Sequence, residues 1–223
     1  MMKKTLTTSL FAGLGFMLVV PGAWAQDVKA NPIAGEKKAA MCIGCHGIPG
    51  YQSSFPEVHK VPMISGQDAK YISAALKAYA TGGRKHPTMR AIAGSLTPQD
   101  IADLSAFYQQ QSKVAAPTEG AAVKAAAPDV AALLQKGGCA NCHGSNYSKA
   151  VIEGAPKLAG QHSDYLYVAL KSYQTAGSPY IGRSNPVMGG IVKQFTPAEL
   201  KQISNYLGSL EGDLRVVPQP RFR

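Results

Sequence analysis

The pentapeptide C-x-x-C-H occurs twice, as Cys42-Ile43-Gly44-Cys45-His46 and as Cys139-Ala140-Asn141-Cys142-His143, and together the two copies use every cysteine in the chain. Two thiols on one helical turn add to the two vinyl groups of one haem, and the histidine that follows lies under its iron. The pattern therefore predicts two covalently bound haem c groups, with Cys42, Cys45, Cys139 and Cys142 as thioether sites and His46 and His143 as proximal iron ligands. Any fold the chain adopts has to wrap two macrocycles. Other uses of paired cysteines fit less well. A thioredoxin-like redox pair sits in a βαβ setting, and no β-rich run surrounds either copy. Zinc knuckles stand roughly 15–20 residues apart, whereas a whole domain separates Cys45 from Cys139. A structural disulfide requires no histidine after it.

The N-terminus assigns a compartment. Lys3 and Lys4 precede the short apolar run Leu10 to Val20, and Ala23-Trp24-Ala25 is an A-x-A cleavage site, so residues 1–25 read as a cleaved signal peptide. The run is too short for a confident membrane span, and the mature protein is expected in the periplasm. The formal charge is +10, two of it from Lys3 and Lys4, so the mature polypeptide carries +8. Each haem adds −1 when ferric and −2 when ferrous, which leaves the holoprotein at about +4 to +6. That charge suits an acidic docking patch or an anionic membrane surface. Nucleic acid is excluded by the compartment and by the lack of a Lys/Arg stripe.

An internal repeat organises the rest. Pro32 to Ala40 and Asp129 to Lys136 are expected to be short helices that deliver the two motifs. Pro62-Met63-Ile64-Ser65-Gly66-Gln67 matches Pro156-Lys157-Leu158-Ala159-Gly160-Gln161. The spacing then predicts amphipathic helices over Asp68 to Thr81 and Ser163 to Ala176, with Tyr71, Tyr79, Tyr165 and Tyr173 on their apolar faces. Thr97-Pro98-Gln99-Asp100 and Thr196-Pro197-Ala198-Glu199 each offer a Thr N-cap, a Pro at the first helical position and an acid at the third. Ser112 to Pro128 is an Ala- and Pro-rich linker. The expected fold is all-α: domain 1 over 26–111, the linker over 112–128, domain 2 over 129–210 and a tail over 211–223. Domains this small are marginal alone, and the macrocycle supplies missing apolar core.

A proximal histidine leaves one iron position open. Met89 and Met188 each stand eight residues before the Thr that caps the last helix, so they coincide in the repeat and are the expected distal ligands. Met41 abuts Cys42, and Met63 aligns with Lys157, which excludes a symmetric role. His59, His86 and His162 read as surface or loop residues. Arg84 and Arg183, in the loops before each methionine, read as solvated charge, with a haem propionate contact as the alternative.

Taken together, two C-x-x-C-H modules, each followed by P-x-[hydrophobic]-x-G-Q, a tyrosine-bearing helix, a late Met and a T-P-x-[D/E] helix, resemble the dihaem cytochrome c4 family over about residues 32 to 210. The resemblance implies two tandem mono-haem cytochrome c folds related by a pseudo-twofold axis, with neighbouring haem edges. It implies periplasmic electron transfer from a quinol-oxidising complex to a terminal oxidase, often of the cbb3 type, with no substrate chemistry of the chain's own. The alternative is the cytochrome subunit of a periplasmic dehydrogenase such as flavocytochrome c sulfide dehydrogenase. A dihaem peroxidase is disfavoured by two symmetric Met candidates. Two departures from the family pattern are Tyr51 to Val61 and the tail Glu211 to Arg223, whose Arg215, Arg221 and Arg223 are expected to reach past the second module towards an acidic partner.

Overall fold

The computed structural model describes residues 28–112 and 124–218. Residues 1–25, read above as a signal peptide, most of the expected linker, and Arg221 and Arg223 of the tail lie outside the described residues. The first module contains α1 (Pro32–Lys38), α2 (Ala40–His46), β1 (Gln52–Ser53), β2 (His59–Lys60), α3 (Ala69–Thr81), β3 (Arg84–Lys85), α4 (Pro87–Gly94) and α5 (Pro98–Gln110). The second contains α6 (Pro128–Lys136), α7 (Cys139–His143), α8 (Ser163–Gln174), β4 (Gly182–Arg183), α9 (Pro186–Val192) and α10 (Pro197–Gly208). Among the described residues the fold is thus all-α apart from four two-residue strands, as the periodicity predicts.

The helix starts follow from the residues that cap them. Thr97 and Thr196 form complete capping boxes with Asp100 and Glu199, each side chain satisfying the other residue's backbone N–H. Asp68 caps α3 by accepting from the Tyr71 amide at 2.9 Å. α1 crosses α5 closely because Gly35 has no side chain: a Cβ there would run into the Asp103 carbonyl and the Phe107 side chain. Lys38 on α1 then bonds Asp100 at 2.6 Å and the buried Asp103 at 2.8 Å, while Asp103 also accepts from the Asn31 amide. The first core collects Ala39, Ile72, Leu104, Phe107 and Tyr108, and the second Leu134, Leu166, Val192, Phe195, Leu200, Ile203 and Leu207.

A pair of glutamines joins the modules. Gln67 donates to the Lys157 carbonyl at 3.0 Å and accepts from the Lys157 amide at 2.9 Å. Gln161 donates to the Met63 carbonyl at 2.9 Å and accepts from the Met63 amide at 3.0 Å. These are repeat-equivalent residues exchanging equivalent bonds, which is the pseudo-twofold relation in hydrogen-bond form. The two departures from the repeat also lie in this interface. The Tyr51 to Val61 segment forms the antiparallel β1–β2 pair, places the Lys60 amide 3.0 Å from Asp164, and sends Glu57 to Lys171 at 2.8 Å. The described part of the tail, residues 211–218, turns back on the first module, so Arg215 does not reach past the second module as expected. The Arg215 amide donates to the Ser65 carbonyl at 3.1 Å, and buried Asp213 accepts from Lys157 and from Ser112, each at 2.6 Å. A buried carboxylate paired with an ammonium and a hydroxyl holds the tail down.

Two predictions follow from this packing. Replacing Gln67 and Gln161 with Ala removes the partner of six part-buried backbone groups, those of Met63, Asp68, Lys157 and His162, at about 1 kcal/mol each. Calorimetry of the double variant is expected to resolve two unfolding transitions in place of one. Separately, the Lys38 and Thr97 hydrogen bonds hold the Asp100 carboxyl down at about 2, against an ordinary value of 3.8. A depressed carboxyl contributes stability that is present above its unfolded pKa and lost as pH falls through the folded one. Asp100→Asn is therefore expected to lower the urea midpoint at pH 5 and to flatten its decline between pH 4 and pH 2.

Candidate haem sites

Each C-x-x-C-H motif ends a short helix, with its two cysteines at i and i+3 on one face. No disulfide joins any of the four. The histidines are set by a backbone carbonyl from the repeated proline segment. His46 Nδ1 lies 2.8 Å from the Pro62 carbonyl, and His143 Nδ1 lies 3.0 Å from that of Pro156. A carbonyl only accepts, so Nδ1 carries the proton and Nε2 is left with a lone pair, the state that ligates metal. Burial pushes both imidazoles below their ordinary pKa, against the carbonyl bonds, which favours the neutral, ligating form.

The methionines sit on helices. Met89 is the third residue of α4 and Met188 the third of α9, and both helices begin with a proline. The caps are His86, whose Nδ1 lies 3.4 Å from the Met89 amide, and Asn185, whose Oδ1 accepts from the Met188 amide at 3.0 Å. A capping residue, Pro at the next position and Met at the third was a legible start signal in both halves. Helices α4 and α9 pack on α3 and α8 respectively. His86 is therefore a cap, as described, and His162 occupies the cap position of α8 without a side-chain bond. His59 is a correction: it is buried rather than at the surface, bonded through Nδ1 to the Glu57 carbonyl at 2.8 Å and facing Tyr165 across the module boundary.

Arg84 and Arg183 are the larger correction, because neither is simply solvated charge. They are partners in the antiparallel β3–β4 pair that bridges the modules. Arg84 Nη2 donates to the Tyr71 hydroxyl at 3.2 Å, and its guanidinium lies 5.0 Å and 5.7 Å from the ring centroids of Tyr71 and Tyr79. Arg183 repeats this with the Tyr165 hydroxyl at 3.1 Å, and with the rings of Tyr165 and Tyr173 at 5.6 Å. Burial raises the Tyr71 phenol, but Arg84 and Arg183 outweigh it and bring its pKa down to about 8. Neither guanidinium pairs with a carboxylate among the described residues. Two half-buried cations among neutral phenols lack an anion, and haem propionates are the anions that the donor set suits.

A cytochrome c family model matches residues 34–112 and again 127–211, once for each module. Cytochrome c4 of Thiocapsa roseopersicina is 30% identical over 81% of this chain and 93% of its own. The chain belongs to the dihaem cytochrome c4 family. The solved cytochrome c4 of Acidithiobacillus ferrooxidans superposes with a TM-score of 0.59 at 28% identity, over 77% of this chain and 99% of that one. A thiosulfate dehydrogenase electron acceptor of Thiomonas intermedia is 24% identical over 93% of this chain and 91% of its own. As a member of the family the protein is an electron carrier with two covalently bound haem c groups, one per module.

Removing one guanidinium from beside a propionate disfavours the more negative ferrous haem. Arg84→Gln is expected to lower a reduction potential by on the order of 50 mV, close to the 59 mV that changes a one-electron equilibrium tenfold. Spectroelectrochemical titration of the holoprotein checks this. An unchanged pair of potentials would separate Arg84 from the propionates.

Proposed function

We propose that the protein is a periplasmic carrier that accepts electrons from a quinol-oxidising complex and passes them to a terminal oxidase. The haems are attached at Cys42 and Cys45 and at Cys139 and Cys142. Their irons are held by His46 and Met89 in the first module and by His143 and Met188 in the second. The modules span 26–111 and 129–210, joined through 112–128, and residues 1–25 direct export. The observation that carries the reading is that both modules prepare the same pair of ligands by the same devices: a carbonyl that fixes the histidine tautomer, and a capped Pro-x-Met helix start. When bound, each haem supplies a one-electron couple, and Met/His ligation favours ferrous iron and a raised potential. The polypeptide fixes the imidazoles, surrounds the ring with apolar side chains, and brings the two modules into one interface. Among the described residues no helix is long and apolar enough to cross a membrane.

A second reading is supported by the relative that serves as a thiosulfate dehydrogenase electron acceptor. In that reading the chain takes electrons from a periplasmic dehydrogenase, of the thiosulfate or the flavocytochrome c sulfide type, as its acceptor or its cytochrome subunit. Stopped-flow reduction of the holoprotein, by membranes supplied with quinol and by soluble periplasmic extract supplied with thiosulfate, separates the two donors.

The ligand assignment has its own test. Met89→His and Met188→His are each expected to lower one potential and leave the other nearly unchanged, and the double variant is expected to lose the weak far-red band of a Met–Fe(III) bond. A band that survives the double replacement means other ligands.

A further inference from the structure

The internal repeat makes each module a control for the other. A residue that the fold or the haem requires recurs in both halves, so a charge present in only one half serves something that only that half does. Counting from the two methionines, Arg84 recurs as Arg183, whereas Lys85 becomes Ser184, His86 becomes Asn185 and Arg90 becomes Gly189. The opposite change occurs once, where Gly94 becomes Lys193 at the end of α9, a position favourable to a cation on helix-dipole grounds alone.

These one-sided charges converge on a place. A cleft of about 600 Å³ opens between α4 and the Pro179–Tyr180 loop of the second module. Its polar wall is Arg84, Lys85, His86 and Arg90, its far wall is Pro179 and Tyr180, and no Asp or Glu lines it. Helical spacing puts Pro87, Arg90, Ala91 and Gly94 along this outer face of α4. Ala93, on the opposite face, is buried. Lys85 is held in position by donating to the Ser178 carbonyl at 2.6 Å, and neither it nor Arg90 forms an ion pair among the described residues. Tyr180 is 63% exposed at the rim, an amphipathic ring of the kind enriched where proteins dock. On the second module the equivalent helix face carries Pro186, Gly189, Gly190 and the single cation Lys193, with no counterpart of Lys85 or Arg90.

We propose that the Lys85–Arg90 cleft is the docking site for the acidic surface of a redox partner, so that the first module exchanges electrons with that partner through the α4 face. Carboxylates of the partner enter between Arg90 and Lys85, and Tyr180 of the second module packs on the rim, so the site is complete only when the modules are joined. The helix the partner touches is the one that carries Met89. The proposal rests on the electron-carrier reading and adds a location and a partner chemistry to it. It moves the docking charge from the C-terminal tail, whose Arg215 is packed against the first module, to the module junction.

The test uses the two-haem holoprotein in the ferrous state, with two small oxidants as probes: ferricyanide, an anion, and tris(phenanthroline)cobalt(III), a cation. The cleft variant is Lys85→Glu with Arg90→Glu. Its control, Lys37→Glu with Lys201→Glu, makes the same change of net charge on exposed helix surface elsewhere. At about 10 mM ionic strength, where charges act over roughly 30 Å, the cleft variant is expected to react with ferricyanide about tenfold more slowly than wild type, and the control less than about threefold more slowly. The gap should close above roughly 0.3 M salt, and the cationic oxidant should react faster with the cleft variant. Arg90→Gln provides a milder version with the same direction if the double reversal fails to load haem. Equal slowing in cleft and control variants would overturn the proposal, since only net charge would then be felt. So would slowing that is independent of salt and accompanied by a shifted potential, which would report a disturbed α4. If wild-type protein exchanges electrons with neither reagent, it is the carrier reading that fails, not the docking site.

Discussion

A guanidinium that leaves bulk water keeps its charge, so it must find compensation where it stops. In this protein two of them stop at the same place. Arg84 and Arg183 face one another on a strand pair that joins the modules directly, each over two tyrosine rings and each bonded to a phenol. Phenols and ring faces solvate a cation partly, and an anion is still required. Haem carboxylates are anions of the kind that would meet that need. Held there, they would tie the cofactors to the same strand pair that joins the halves.

The remaining interface bonds reinforce this arrangement. Gln67 and Gln161 trade paired bonds across the pseudo-twofold. Around that symmetric centre lie two asymmetric clasps, the β1–β2 hairpin against α8 and the tail against Ser65 and Lys157. Lys157 replaces the methionine of the first repeat and reaches Gly66 and Asp213 at once. The segments that break the repeat are therefore largely structural, and the chemical asymmetry left at the surface is that of α4 against α9.

Much of this could be read from the chain by itself, because it depends on local chemistry. Two C-x-x-C-H motifs imply two haem attachments in whatever fold surrounds them. Thr-Pro-x-acid announces a helix start, and Asp68, Thr97 and Thr196 all cap where their neighbours predict. Even the helices carrying Met89 and Met188 were announced by His-Pro and Asn-Pro pairs, whose capping sense is local. The repeat supplied the alignment of the two methionines without any coordinates.

What the tertiary structure alone decided concerns groups that become neighbours only after folding. Arg84 and Arg183 are separated by more than a module in sequence, and nothing near either one says that it will be half-buried over tyrosines from α3 or α8. His59 is polar and sits in an insertion, so local composition places it in water, yet the hairpin folds it against Tyr165. A proline-rich tail favours extension, but extension says nothing of direction. A buried Lys157–Asp213 pair and one strand-like bond to Ser65 turn it inward. Local sequence determined the elements and the cofactor chemistry, since both depend on residues a few positions apart. Charge burial and the module interface depend on distances between remote residues, and only the packed chain sets those.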